Sequence, residues 1–159
     1  MPINKIFKNK KGVSIIELLV VAAIVTIGLV GLLSVTVSSL KFSRQIKETE
    51  QAKALAEEAL EAVRNFRDGT TWGTGLGALN LDVAYHPEKI GTPLRWNLVS
   101  GQETINGFTR QVVIKEVFRD ASSNIAPSGL VDANTKMIVA TVSWGTKTVE
   151  ISTYLTNWQ

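Results

Sequence analysis

The chain has 159 residues, with 17 basic and 14 acidic side chains, a formal charge of +3 and no cysteine. Once a membrane-length segment is set aside, about 100 residues remain, room for one compact domain with a modest core. Without cysteine, neither a disulfide framework nor a thiol nucleophile is open to it, and the basic excess at first sight suggests nucleic acid or acidic lipid as a partner.

That excess sits at one end. Lys5, Lys8, Lys10 and Lys11 precede Gly12, so a product beginning at Val13 carries 13 of the 17 basic residues against all 14 acidic ones, a net of −1. Arg95, Arg110, Lys115, Arg119, Lys136 and Lys147 are dispersed in sequence, and a nucleic-acid partner is not indicated. From Leu18 to Leu40 there is no charged side chain, a run of 23 residues against the roughly 20 that a helix needs to cross the hydrocarbon core. Glu17 stands at its entry. A carboxylate at membrane depth is costly and marks a functional position by default. The leading residues have the charge of a secretory n-region, but the small residue Gly12 comes before the apolar run, so cleavage after it keeps the hydrophobic segment. Four lysines precede the span, and Lys41, Arg44 and Lys47 follow it. This balance places the amino end in the cytoplasm and the carboxyl end outside.

The stretch Lys11-Gly12-Val13-Ser14-Ile15-Ile16-Glu17-Leu18-Leu19-Val20 resembles the class III signal of type IV pilins and the related pseudopilins. The resemblance implies that a prepilin peptidase cuts between Gly12 and Val13 and methylates the new amino terminus on Val13. It also implies that Glu17, fifth in the mature chain, serves assembly. Val13 stands where the family usually has phenylalanine, a position at which it varies. The spacing has a physical sense of its own. Cleavage leaves an α-ammonium at Val13 one helical turn from Glu17, and both charges are expensive in lipid. In a bundle of parallel helices, the carboxylate of one subunit can neutralise the amine of a neighbour displaced axially by about a turn, which also sets register. An ordinary signal anchor with an incidental glutamate is the competing account.

Further along, Gly28 and Gly31 interrupt the apolar run without the four-residue spacing of a dimer motif, and read as packing tolerance. No proline lies between Val13 and Phe66. From Lys41 to Arg67 the chain turns polar with no turn signal, so the helix continues. Ala52, Leu55, Ala56, Ala59, Leu60, Ala62, Val63 and Phe66 recur at three- and four-residue steps, one buried face of an amphipathic helix. Arg44 with Glu48 and Lys53 with Glu57 are spaced for i, i+4 ion pairs, Glu57, Glu58 and Glu61 read as a solvated face, and Asp68-Gly69 is the stop. The stretch Leu55–Arg64 also resembles the helix of many minor pilins. The expected organisation is a leader over 1–12, a transmembrane or filament-core helix over 13–40, an amphipathic continuation over 41–68, and a loop-and-sheet head over 69–159.

Thr70 to Pro93 reads as a long connection, the αβ-loop that the resemblance implies, with Trp72 and Tyr85 pinning it to the core. His86 is the single histidine and has no ligand-spaced companions. Strands are expected over Leu94–Val99, Phe108–Phe118, Met137–Trp144 and Lys147–Leu155. In the second, Val112, Ile114 and Phe118 share a face; Gly145-Thr146 forms a type II′ hairpin turn between the last two. The polar segment from Arg119 to Lys136, with Asp120, Asn124, Asp132 and Asn134, fits turn chemistry better than any defined calcium loop. With no disulfide to close it, the carboxyl region is expected to hold by strand pairing and by packing of Tyr154 and Trp158.

The fold class is therefore α+β: a long amino-terminal helix, membrane-spanning in its first half and packed through its second half on a small antiparallel sheet, the pilin fold of the resemblance. No catalytic constellation and no cofactor site appear. The expected function is that of a structural subunit of a type IV pilus-like filament, of minor-pilin type and not an enzyme. The alternatives are a pseudopilin of a type II secretion or DNA-uptake apparatus, and a monomeric membrane-anchored binding module. Expected partners are the prepilin peptidase, other pilin subunits, the assembly platform and the inner membrane, which the chain crosses once before reaching a surface filament or periplasmic pseudopilus.

Overall fold

The computed structural model describes Gly12 and residues 14–158. Helix α1 spans Ile15–Asp68, and the chain divides into two compact units, the first ending at Gln45 and the second running from Ile46 to Gln159. The leader residues 1–11 and Val13 lie outside the described residues.

In the first unit the helix buries nothing. Ile15, Leu18, Leu19, Ile24, Ile27, Leu32, Leu33 and Leu40 are all exposed, and among the described residues α1 is the one helix long and apolar enough to cross a membrane. Thr26, Ser34 and Thr36 donate their hydroxyls to the carbonyls of Ala22, Val30 and Leu32, so these polar groups are satisfied within the helix itself, as a segment without water requires. Among the described residues, nothing beyond the helix's own nearby backbone lies within 4 Å of where a Cβ would stand at Gly28 or Gly31.

In the second unit the same helix becomes a core element. Ala52, Ala56, Ala59, Leu60, Ala62, Val63 and Phe66 are its buried residues, and Leu55 packs at the margin, the stripe expected from the spacing. Lys53 pairs with Glu50 at 3.0 Å, so the expected partnership with Glu57 gives way to an i, i+3 contact. The helix ends where Gly69 N–H donates to the Asn65 carbonyl and the Thr70 hydroxyl to that of Phe66.

Seven antiparallel strands follow: β1 (Ala84–Ile90), β2 (Arg95–Ser100), β3 (Glu103–Ile105), β4 (Phe108–Arg119), β5 (Ile125–Ala126), β6 (Leu130–Trp144) and β7 (Lys147–Thr156). The main order is β2-β1-β4-β6-β7, with β3 and β5 pairing β4. Phe108, Val112 and Ile114 of β4, Ile138, Ala140 and Val142 of β6, and Leu98, Tyr85 and Leu155 meet the helix stripe in one core. Full burial of each large apolar side chain contributes roughly 2 kcal/mol.

The structure corrects several expectations. The connection over 70–93 contains a 3-10 turn, Leu76–Ala78, and the whole of β1. Pro87 obscures that strand in the sequence; it is tolerated because β1 pairs β4 only at Ala84 and Tyr85, leaving a single neighbour, β2, at Pro87. Strand β6 begins at Leu130, seven residues before Met137, and Leu130 and Val131 pair with Arg119 and Phe118 although exposed. The β4–β6 ladder shifts register between Glu116 and Phe118, so Val117 is buried and Phe118 leaves the face of Val112 and Ile114. Tyr154 and Trp158 are exposed; the carboxyl end is held by the β6–β7 ladder and by the Asn157 amide donating to the Asn134 carbonyl. The final hairpin agrees with expectation: Trp144 pairs Lys147, and of the two turn residues only Gly145 has positive φ, 54°, as a type II′ turn demands.

Candidate processing and assembly site

The helix starts at a sharply defined place. Ser14 directly precedes it, its carbonyl accepts from the Leu18 amide at 3.2 Å, and Glu17 lies in the first turn. Ser14-Ile15-Ile16-Glu17 has the spacing of a capping box, yet among the described residues neither side chain makes a hydrogen bond. Glu17 is exposed, makes no ion pair among the described residues, and is the one charged residue from Ile15 to Leu40. The partial positive charge of the helix start favours an acid there. It does not supply the hydrogen bonds that a carboxylate loses on leaving water.

Gly12, two residues ahead of Ser14, is exposed, has no regular structure, and has nothing within 4 Å of where a Cβ would stand. A glycine in open backbone ahead of a helix is a position that a peptidase can draw into extended conformation without steric cost. Residues 7–33 match the prokaryotic N-terminal methylation motif. In this segment the chain is similar to type IV pilin-like prepilins. The match brackets Gly12, Val13 and Glu17 and ends inside the apolar run. No curated protein and no solved structure matches the chain.

The unit from Ile46 onward contains two polar constellations that the sequence did not reveal. Arg110 is 3 % exposed; its guanidinium donates to Glu103 at 2.7 and 2.8 Å, to Glu58 at 3.0 Å and to the Leu55 carbonyl at 3.1 Å. Glu58 thus joins helix to sheet instead of lying on a merely solvated face. The signal was present: Arg110 falls on the inward parity of β4, between Phe108 and Val112, where a cation requires a carboxylate partner. Glu48 likewise accepts from Trp144 Nε1 at 3.1 Å and Lys147 Nζ at 3.3 Å, fixing the last hairpin to the helix.

The other candidate residues fall into structural roles. Tyr85 is buried and its hydroxyl accepts from the Asn80 amide, while Trp72 Nε1 donates to the Ala133 carbonyl, so both pin the loop to the head. The Asp120 carboxylate accepts from the Asn124 and Ser122 amides at 2.9 and 2.8 Å, and the Asn124 bond chiefly holds its pKa below the usual aspartate value. Asp132 is lowered too, first by the Thr135 hydroxyl and then by Arg119, which donates at 2.6 Å. These oxygens are engaged in turns and strand ends, as expected. His86 lies on β1 with its Nδ1 buried and unpartnered.

Proposed function

We propose that the mature protein begins at Val13 and is a subunit, of minor-pilin type, of a type IV pilus-like filament assembled through its amino-terminal helix. The observation that carries this reading is a coincidence in one stretch: the methylation motif spans residues 7–33, and the helix that starts inside it exposes its apolar side chains and a Glu17 with no ion-pair partner among the described residues. Membrane anchoring before assembly follows from the same segment. In lipid this helix is at rest except for Glu17. In a bundle, the carboxylate meets the terminal ammonium of a neighbour, and the cost of two buried charges is offset by their pairing. Prepilin peptidase, assembly platform and sister subunits are the partners that this chemistry requires. The resemblance of Leu55–Arg64 to minor-pilin helices supports a low-abundance place in the filament.

Mass spectrometry of the amino terminus tests the processing step: the expected species starts at methylated Val13, and an intact leader in assembled material overturns the proposal. Shear-released filaments containing the chain support a pilus. Loss of a secreted enzyme on deletion, with no surface filament, points instead to a secretion pseudopilus.

A further inference from the structure

Strand β7 borders the sheet: in the order β2-β1-β4-β6-β7 it has β6 as its single neighbour. Its ten residues pair with β6 without a register shift. Because a two-residue turn joins Trp144 to Lys147, that pair exchanges hydrogen bonds, and so does every second pair after it. Thr148, Glu150, Ser152, Tyr154 and Thr156 therefore aim their N–H and C=O groups away from the sheet. Among the described residues these groups have no backbone partner outside the ladder. Edges are commonly blunted by proline, a bulge or a lysine within the strand; β7 has none of these from Thr148 to Thr156. The opposite edge, β2, is six residues long and opens on Arg95, two residues after Pro93. Beside the free edge of β7 runs a groove of about 630 Å³ between it and α1, lined among others by Glu57, Leu60, Glu61, Arg64, Ile151 and Thr153. Carboxylates outnumber cations there. Arg64 is spent on Glu61 at 3.0 Å, Glu58 at the same groove shares Arg110 with Glu103, and Glu57 makes no ion pair among the described residues. Glu150, exposed on the other face of the strand, makes none either.

We propose that β7 receives an extended segment of another protein as an added strand, one whose alternate side chains carry lysine or arginine into the groove. Main-chain hydrogen bonds to the outward-directed residues supply the attachment, and the groove carboxylates supply the selection. A second copy offering its own β7 fits less well, because it brings the same glutamates to the same place, and like charges across an interface are costly. The proposal concerns the unit from Ile46 onward and stands apart from the reading of Glu17 in assembly.

Amide hydrogen exchange of the full-length chain in detergent micelles, followed by NMR, tests it with an end-capped peptide of alternating lysine and valine, matched to β7 at ten residues. The peptide is expected to slow exchange of the Glu150, Ser152 and Tyr154 amides at least about tenfold and to leave those of Val149 and Ile151, already bonded to β6, unchanged. A lysine-proline peptide of equal length and charge lacks the N–H groups a strand needs, and a glutamate-valine peptide reverses the charge. Both are expected to bind at least about tenfold more weakly. Ser152→Pro removes an outward N–H that the β6 ladder does not use and is expected to weaken binding about tenfold; Glu57→Gln weakens it about threefold. Near-UV circular dichroism checks that the proline variant is folded, and Glu57→Gln with the two control peptides holds the test if it is not. Absence of amide protection, equal affinity for the lysine-proline peptide, or unchanged affinity in both variants overturns the proposal. So does protection of the same amides by concentration-dependent dimerisation without peptide, which assigns the edge to a second copy.

Discussion

Arg110 offers the sharpest test of how the head is held together. Replacing it with methionine keeps most of the volume and removes the charge. Glu103, 24 % exposed, then loses both guanidinium bonds and is left a partly buried carboxylate without a counter-ion. Breaking a buried pair from one side costs about 3 kcal/mol. Glu58 is half-exposed and recovers water, so its loss adds less than about 1 kcal/mol. The head is of a size at which such a loss lowers the unfolding midpoint by roughly 15 °C. Near-UV circular dichroism of the full chain in detergent follows the head selectively, since most of its aromatic residues lie there. The decisive step is the second substitution. Glu103→Gln in the Arg110→Met background removes the orphaned charge and is expected to restore more than half of the loss, whereas in the wild type it destabilises. If Arg110→Met alone is neutral, or if Glu103→Gln gives no rescue in its background, the pair does not hold helix to sheet and the reasoning fails.

Three further outcomes follow from the geometry. A Cβ at Gly129, where φ is +147°, would overlap the Arg119 carbonyl oxygen, so Gly129→Ala is expected to destabilise the head by about 2 kcal/mol in denaturant titration. A loss under about 0.5 kcal/mol would mean that the turn relaxes freely. In carboxyl-carbon NMR, Asp120 and Asp132 are expected to titrate below the ordinary aspartate midpoint of about 3.9; Thr135→Val raises the Asp132 midpoint and leaves Asp120 unmoved. Because both pKa values are depressed on folding, their contribution to stability is fully present above the unfolded value and is lost as pH falls through the folded one. Unfolding midpoints measured from pH 5 downward should therefore decline less steeply in the Asp132→Asn variant. Glu48→Gln weakens the acceptor for Trp144 and Lys147, and hydrogen exchange in the β6–β7 hairpin is expected to rise while that of the β4–β6 ladder stays constant.

The helix and the core stripe were legible because they depend on local period: every apolar position from Ala52 to Phe66 that the three- and four-residue steps selected is buried or packed at the margin. The last hairpin was legible for the same kind of reason, since Gly145 carries its conformational requirement in its own lack of a side chain. What stayed hidden depends on pairing between distant segments. Strand β1 carries a proline, and the early half of β6 is polar, so both owe their conformation to neighbours in the sheet rather than to their own residues. The bulge at Glu116–Phe118 reverses the alternation of β4 without leaving a trace in composition. Arg110 looked like one of several scattered cations until Glu58, 52 residues away, was placed beside it. At the candidate site the position was different. Gly12, Val13 and Glu17 stood out because a charge, a small residue and a membrane-length apolar run coincide within a few residues, a pattern that needs no tertiary contact to be recognised.

That locality also decides what can drive the amino-terminal helix out of lipid. Hydrocarbon is as apolar as leucine, so exchanging lipid for neighbouring helices gains little from the hydrophobic effect, and the difference falls on packing and polar groups. Thr26, Ser34 and Thr36 are spent on carbonyls of their own helix and offer little to a partner. Glu17 is the strong polar group left. Thr26→Val and Thr36→Val are accordingly expected to leave shear-released filament yield within about twofold of wild type, while Glu17→Gln lowers it by at least about tenfold at equal membrane level. Isosteric removal of the charge isolates electrostatics from size. The opposite pattern, with filaments surviving Glu17→Gln and failing with Thr26→Val, would assign register to hydroxyl contacts between helices and remove the carboxylate from the assembly step.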